Sequence, residues 1–407
     1  MRGNFPNIRH LRIFLETARS GSVSDAAKRC YLSQPAATQA ISRLEEVVGL
    51  PLLTRTRKRA ALTQIGALFA ARAEKALDHI RHGSQSPLIE SSSKGRRYST
   101  FESAVTASQL RTLIAIANTG SFTLAAQSLG LSQPTIYRAA RNLEAVVGTP
   151  FFIARTSGVR LTPAAESFVI GAKLAQAELR QAFEEISTAS GQEKGTFVLG
   201  SLPLARTTIV PKAVHAMVKS MDGFQVRVVE GRYGELLRSL REGDIDCLIG
   251  ALRDPPPADD ITQKFLFRDA LAIVTHPDHP LTKLRNVRLE DTVEFPWIAP
   301  PIETPAGQYL FETLRIGDRD QTPVRIVASS MAILRGVLAE GPYVSVVSRH
   351  QIKVDENQGA IKPLDIELTG HLRDIGLTYR TSWQPTQAQR LFIESLQRFS
   401  ADATADE

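Results

Sequence analysis

The chain is short of cysteine and holds no long apolar run. Only Cys30 and Cys247 occur among 407 residues, too few for a disulfide framework. Cys30 falls in a short helical stretch and Cys247 in an apolar strand, so both read as packed thiols. No apolar segment approaches the ~18 residues that a membrane span requires. Charges are scattered through the first residues and no signal-peptide core is present, so a cytoplasmic location is expected. Patterns that carry catalysis are missing too. Ser201, the one candidate nucleophile, has no G-x-S-x-G elbow around it and no base at a usable spacing. No phosphate-cradling glycine pattern follows a strand. His276 and His279 sit in a proline-rich turn without further Cys or His to complete a metal site. No enzyme, cofactor or metal is expected.

What is present is a repeat. Residues 11–63 align without a gap on residues 110–162, at a constant offset of 99, with 20 identical positions. The shared core reads GS…AA…LSQP…LE.VVG.P, from Gly21 to Pro51 and again from Gly120 to Pro150. Two copies are too few for a stacking array and indicate a duplicated domain.

Each copy predicts three helices. Leu11, Phe14, Leu15 and Ala18 form an i, i+3, i+4, i+7 apolar face, matched by Leu110, Leu113, Ile114 and Ala117. Gly21 and Gly120 end that helix. A short second helix carries Ala26–Ala27 or Ala125–Ala126, small enough for close packing. A tight turn through Tyr31 or Gly130 leads to a third helix capped by Ser33 or Ser132, with Pro35 or Pro134 in its first turn. Its buried face is Ala37, Ile41 and Leu44, or Ile136, Ala140 and Leu143. Large and small residues exchange places between the copies, which roughly keeps the core volume.

Helix, turn and a third helix with a polar first turn is a geometry that reads the DNA major groove. That turn exposes Gln34, Thr38 and Gln39 in the first copy, and Gln133, Tyr137 and Arg138 in the second. Gln suits an adenine edge and Arg a guanine edge. Arg55, Arg57, Lys58 and Arg59 form a basic loop, a wing able to touch phosphates; the second copy has only Arg155 and Arg160 there. Charge agrees: the net is +7 overall, with +10 in residues 1–100, +1 in 101–190 and −4 in the rest. The basic part suits a polyanion.

At these residues both copies resemble the winged helix-turn-helix of LysR-type transcriptional regulators. The family pattern of an SQP helix start, LE…G.P and a wing closing on LT runs from Leu11 to Thr63 and from Leu110 to Thr162. The resemblance implies that Gln34, Pro35, Thr38, Gln39 and Arg55 approach DNA, and Gln133, Pro134 and Arg138 in the second copy. The second copy departs from the pattern with Tyr137, where a small hydroxyl is usual, and with Ala154 in place of the wing arginine; Arg155 lies one residue later.

An Ala-rich helix follows each copy. In proteins of this family it pairs with that of a second subunit, and Phe168, Leu174, Leu179 and Phe183 could supply the seam; packing on its own chain is the other reading. From Thr196 strands and helices alternate, which implies a largely parallel sheet. Ala270–Thr275 is among the predicted strands, and the last acidic residues read as a frayed tail. EGDIDCLIG, HPDHPL and the segment ending GPYVSVVS resemble landmarks of the family's two-lobed effector domain, a fold like periplasmic binding proteins. Ligands in such folds lie between lobes, beside strand ends and helix N-termini. That points to Ser201 and Leu202, to Gly231 and Arg232, and to Ser329 and Ser330, which could equally be only helix caps.

The expected fold is α/β, with two all-α winged helix-turn-helix domains followed by a two-lobed α/β effector domain. The boundaries are 1–62 and 63–82 for the first copy and its linker helix, 83–107 for a flexible linker, and 108–161 and 162–190 for the second copy and its dimerisation helix. The effector domain covers 195–400, with lobe I at about 195–268 and 374–400 and lobe II at about 269–373. The expected function is transcriptional regulation through double-stranded DNA, controlled by a small anionic or polar metabolite, in a homo-oligomer (dimer or tetramer by resemblance). The alternative is that only the first copy reads DNA and the second is a dimerisation module.

Overall fold

In the computed structural model, residues 5–55, 59–84, 104–156, 158–192, 194–318 and 322–405 are described. They form two compact units. The first comprises residues 1–196 with 222–225 and 241–244; the second comprises the remainder.

The first unit holds one order of elements twice: α1 (Ile8–Ser20), α2 (Val23–Arg29), α3 (Gln34–Val48), β1 (Leu53–Arg55), β2 (Ala60–Leu62) and α4 (Gln64–Ser84), then α5 (Ala107–Thr119), α6 (Phe122–Leu129), α7 (Gln133–Val147), β3 (Phe152–Arg155), β4 (Gly158–Leu161) and α8 (Pro163–Ala189). The predicted helix faces are buried: Leu11, Phe14 and Leu15 in α1, Leu110, Leu113 and Ile114 in α5, with Ala18 and Ala117 half-buried. The exchange of large and small core residues holds, since Ala37, Ile41, Ile136 and Ala140 are all buried. Gly21 and Gly120 end their helices at φ +67° and +63°, where a Cβ is disfavoured. Each also accepts a hydrogen bond from the hairpin behind it, Ala60 N–H to Gly21 O at 2.9 Å and Val159 N–H to Gly120 O at 2.7 Å.

The glutamate shared by the two copies fastens the wing. One carboxylate oxygen of Glu45 accepts from Leu52 N and Leu53 N at 2.9 and 3.2 Å. Glu144 does the same for Phe151 N and Phe152 N at 2.7 and 3.1 Å. β1 pairs β2, and β3 pairs β4, as antiparallel ribbons. Thr63 and Thr162 close each ribbon by donating to Pro51 O and Pro150 O at 2.8 and 2.9 Å, and accept from the first turn of the next helix.

α4 and α8 pack on each other within the chain. Phe69 meets Phe183 edge-on at 6.0 Å, whereas Gly83 lies against Phe168 and Gly171, so the two helices run in opposite directions. Within one chain, α8 thus packs along α4. Gly83 and Ser84, expected in a flexible linker, complete the last turn of α4, and Ala107 opens α5; residues 85–103 lie outside those described.

The second unit is built on β5 (Gly195–Ser201), α9 (Ile209–Ser220), β6 (Phe224–Val229), α10 (Tyr233–Glu242), β7 (Cys247–Ala251), β8 (Ile261–Thr275), β9 (Trp297–Ala299), β10 (Val324–Val327), α11 (Met331–Glu340), β11 (Val344–Ser348), α12 (Arg349–Asn357), β12 (Lys362–Pro363), β13 (Leu372–Arg380) and α13 (Gln387–Ala405), some of whose end residues cluster with the first unit. The strand order is β10-β9-β11-β8-β13-β7-β5-β6, with β12 beside β8. The sheet is mixed, not largely parallel. β5·β7, β9·β10 and β9·β11 are parallel, but the long strands β8 and β13 are antiparallel to each other and to their outer neighbours β11 and β7. β8 changes partner along its length: Ile261–Ala270 pairs with β13, and Leu271–Val274 with β11. It starts nine residues before the expected Ala270. Leu271 and Ile273 join one apolar cluster with Trp297, and Ala272 and Val274 another with Ile298, so that end of the sheet is covered on both faces. α12 was not foreseen, and α13 continues through the expected frayed tail as far as Ala405.

Candidate nucleic-acid interface

The first turn of α3 is set by local chemistry. Ser33 caps it, accepting from Ala36 N at 3.3 Å, and Pro35 sits where no amide partner is needed. Ala37, Ala40, Ile41 and Leu44 turn inward. Gln34, Pro35 and Gln39 are left exposed and Thr38 half-buried; with Ala36 these four line an open concavity. The three predicted base-facing residues of the first copy, and Pro35 beside them, thus share one surface.

α7 presents the matching surface with different chemistry. Gln133, Pro134, Tyr137 and Arg138 are exposed. Ser132 hydrogen-bonds to Thr135 Oγ1 at 2.8 Å and makes no cap to the backbone. Tyr137 is 47% exposed, but its ring packs edge-on against Phe122 at 5.5 Å and carries Arg141 over its face at 4.9 Å. Arg141 also donates to Glu144 at 2.6 Å. Hydrogen bonding with Tyr137, then with Glu144, holds its guanidinium above the ordinary range. One of the few cations of this copy is thereby drawn towards its own helix.

In the wings, Arg55 pairs with Ala60 across the first ribbon, and Arg155 is exposed opposite Gly158 in the second. Arg57 and Lys58 lie outside the described residues. Arg59 is exposed.

The expected effector residues stand at strand ends and helix starts of the second unit, with unequal access. Ser201 ends β5 and is buried, its hydroxyl donating to Leu202 O at 3.3 Å. Leu202 is half-buried over Gly250, whose missing Cβ makes room for it. Arg232 is exposed just before α10, after the half-buried Gly231. Ser330 caps α11, accepting from Ile333 N at 3.4 Å, and Ser329 beside it is exposed.

Two groups in this unit escaped the sequence reading. Arg206 donates from Nε and Nη2 to Ser201 O at 3.0 and 2.6 Å and from Nη1 to Glu230 at 3.0 Å, which places a cation at the end of β5. Burial lowers its pKa despite Glu230. Asp269 lies fully buried where β8 changes partner. It accepts from Ser348 Oγ at 2.8 Å, meets His350 Nδ1 at 3.3 Å and is bridged by Arg373. Burial alone would raise its carboxyl pKa; the contacts with His350, Arg373 and Ser348 hold it below the ordinary value. The contacts of Asp269 are all long-range, and of those of Arg206 the one that fixes its charge, Glu230, lies 24 residues on.

His279 caps its turn by accepting from Leu281 N at 3.1 Å, and Asp278 N donates to His276 at 3.3 Å, so both histidines serve the turn. Cys30 and Cys247 are free thiols, the second buried and pushed well above its ordinary pKa by that burial. Among the described residues no helix is long and apolar enough to cross a membrane.

A capped helix with an exposed polar first turn, a two-stranded wing and an appended α/β unit together define a helix-turn-helix regulator. The sequence pattern of bacterial regulatory helix-turn-helix proteins of the lysR family matches residues 8–67 and again 107–166, and that of the LysR substrate binding domain matches residues 190–401. The chain belongs to the LysR family and is a DNA-binding transcriptional regulator with a C-terminal effector-binding domain. It is 28% identical to the HTH-type transcriptional regulator GalR of Pseudomonas putida, over 92% of this chain and 93% of that one. It is 26% identical to the HTH-type transcriptional regulator PcaQ of Agrobacterium fabrum, over 72% of this chain and 94% of that one, so PcaQ is the shorter protein. In fold it resembles a full-length single-residue variant of OxyR from Pseudomonas aeruginosa (TM-score 0.51, 22% identity, 71% of this chain and 97% of that one). It also resembles CbnR, a LysR family transcriptional regulator (TM-score 0.50, 20% identity, 72% of this chain and 98% of that one).

Proposed function

We propose that both copies are winged helix-turn-helix domains and that both read DNA. The observation that carries this is the exposure of Gln34 and Gln39 on α3 and of Gln133 and Arg138 on α7, each on a helix whose opposite face is buried. Gln34 and Gln39 select bases by hydrogen bonding, Arg138 suits guanine, and Arg55, Arg57 and Arg155 hold phosphates. The second unit is then a two-lobed sensor like the periplasmic binding proteins, its lobes meeting along β8 and β13. A small anionic or polar metabolite binds between them, near Ser201, Leu202, Arg232, Ser329 and Ser330. Arg206 brings a guanidinium to the end of β5, where an anionic ligand would take the place of Glu230 on it. Ligand binding shifts the population of sensor conformations and with it the set of the DNA-binding unit.

Tyr137 favours a second reading. Its ring is occupied by Phe122 and Arg141, which suits a copy that has given up base contact and serves only to dimerise. The test is operator affinity at fixed salt for Gln34→Ala/Gln39→Ala and, separately, Gln133→Ala/Arg138→Ala. Loss in both supports two readers; loss in the first alone leaves the second copy structural. Removing a phosphate contact at Arg155 should flatten the salt slope by about 0.9.

A further inference from the structure

Duplication has left two equivalent helices, α4 and α8, packed against each other. At the offset of 99, Phe168 of α8 corresponds to Phe69 of α4, and Phe183 to Ser84. Phe69 meets Phe183 at one end of the seam, and Phe168 lies against Gly83, next to Ser84, at the other. These are one contact repeated about an internal two-fold, the relation that a symmetric interface between identical subunits would show.

Where the copies differ, the differences fit each other. Arg72 is buried on α4 and reaches Glu178 at 2.9 Å, Gln181 at 2.7 Å and Glu185 at 2.5 Å, all on α8. Its counterpart on α8 is Gly171, which lets the backbones close at the other end of the seam. The α4 counterparts of Glu178 and Gln181 are His79 and His82. In the same geometry, two α4 helices would set Arg72 against histidines. Two α8 helices would set Glu178 against a glycine, with no cation to neutralise it. Only the unlike pair compensates the buried charge, so the seam rejects both like pairs. One apolar core runs through both copies.

We propose that a single chain is a covalent pseudo-dimer: its own α4·α8 seam stands where two subunits would otherwise meet, and it carries both recognition helices onto one DNA site with two unlike half-sites. This rests on the reading that both copies contact DNA. The half-site under α3 faces Gln34, Thr38 and Gln39; the one under α7 faces Gln133, Tyr137 and Arg138. Unlike side chains at matching places select unlike bases.

Two measurements on the full chain test it. Light and 15N-labelled chains are made separately, unfolded together and refolded as a mixture, coupled with a zero-length carbodiimide, and searched for peptides joining residues 64–84 to 163–189. Lys75, three residues after Arg72 on α4, provides the amine, and Glu178 and Glu185, which Arg72 contacts, the carboxylates. Products pairing like isotopes support the seam within one chain; mixed-isotope products overturn it. Duplexes selected from a random pool should show two different half-sites, with Gln34→Ala/Gln39→Ala relaxing one and Gln133→Ala/Arg138→Ala the other, each by about tenfold in discrimination. Palindromic selections overturn the proposal. Selections indifferent to the α7 substitutions also overturn it, through its DNA-reading premise, and like-isotope products would locate the failure there and not in the seam.

Discussion

Gly171 is closed against His79: a Cβ on Gly171 would come within 2.5 Å of the His79 carbonyl oxygen and 3.1 Å of Gly83 Cα. Alanine is the better helix former by about 1 kcal/mol. Here the seam overrides that preference, because neither neighbour is a side chain that can swing away. Gly171→Ala should lower the stability of the first unit by about 1–3 kcal/mol, the range for overpacking. Urea unfolding followed in the first unit checks the sign; a stabilised variant would show that the backbones are further apart.

Arg72 and Glu178 make a second prediction about the same seam. Both side chains are less than a tenth exposed, so removing one partner strands a buried charge. Arg72→Ala should cost about 3–5 kcal/mol. Replacing both by apolar residues, as in Arg72→Met/Glu178→Leu, should recover part of that loss, since buried pairs often add little over well-packed apolar groups while Gln181 and Glu185 still lose the guanidinium they share. The double variant should also admit like pairing of the helices, read as new mixed-isotope cross-links between chains.

How far these features could be read from residues alone depends on range. The start of α3 was legible because Ser33 and Pro35 act within its first turn, and the ends of α3 and α7 because Gly49 and Gly148 stop each helix locally; the cap expected from Ser132 is not made, since its hydroxyl turns to Thr135. The role of Glu45 and Glu144 was not, although both stand in the repeated LE motif: a side chain accepting from amides seven and eight residues on has no periodic signature. The first half of β8 was missed because no clean alternation runs through residues 261–269, where half-buried positions interrupt the pattern. Asp269 was invisible because its partners lie 79–104 residues away. The apolar stripe of α8 was seen, but a stripe does not name the helix that covers it; the Arg72–Glu178 contact, 106 residues apart in sequence, is what selects α4 over a second α8.

Asp269 gives a pH-dependent prediction. Burial opposes its charge, yet His350, Arg373 and Ser348 hold its folded pKa below the ordinary value. A carboxyl depressed in the folded state contributes stability that is present above its unfolded pKa of about 4 and is lost as pH falls through the folded value. Asp269→Asn should therefore destabilise the second unit at pH 7 by about 2–4 kcal/mol. The gap between wild type and variant should stay constant down to about pH 4 and close below it. Thermal unfolding at several pH values measures this; a gap that widens on acidification would contradict the assigned charge state.

Tyr31 shows where the two copies solved one turn differently. It holds φ +56° with 93% of its surface exposed, while Gly130 at the equivalent place holds φ +66°. The left-handed region is unfavourable for a side chain with a Cβ, by about 1–2 kcal/mol, and nothing buried on Tyr31 offsets it. Glycine adds back some unfolded-state entropy, so the net gain is smaller. Tyr31→Gly should stabilise the first unit by about 0.5–1 kcal/mol. The turn's backbone bonds, Tyr31 N–H to Lys28 O and Leu32 N–H to Ala27 O at 3.2 and 2.9 Å, need no side chain and should persist. The converse change, Gly130→Tyr, should destabilise the second copy. If both substitutions moved stability in the same direction, the two turns would not be conformational equivalents and the register of the repeat at this point would be wrong.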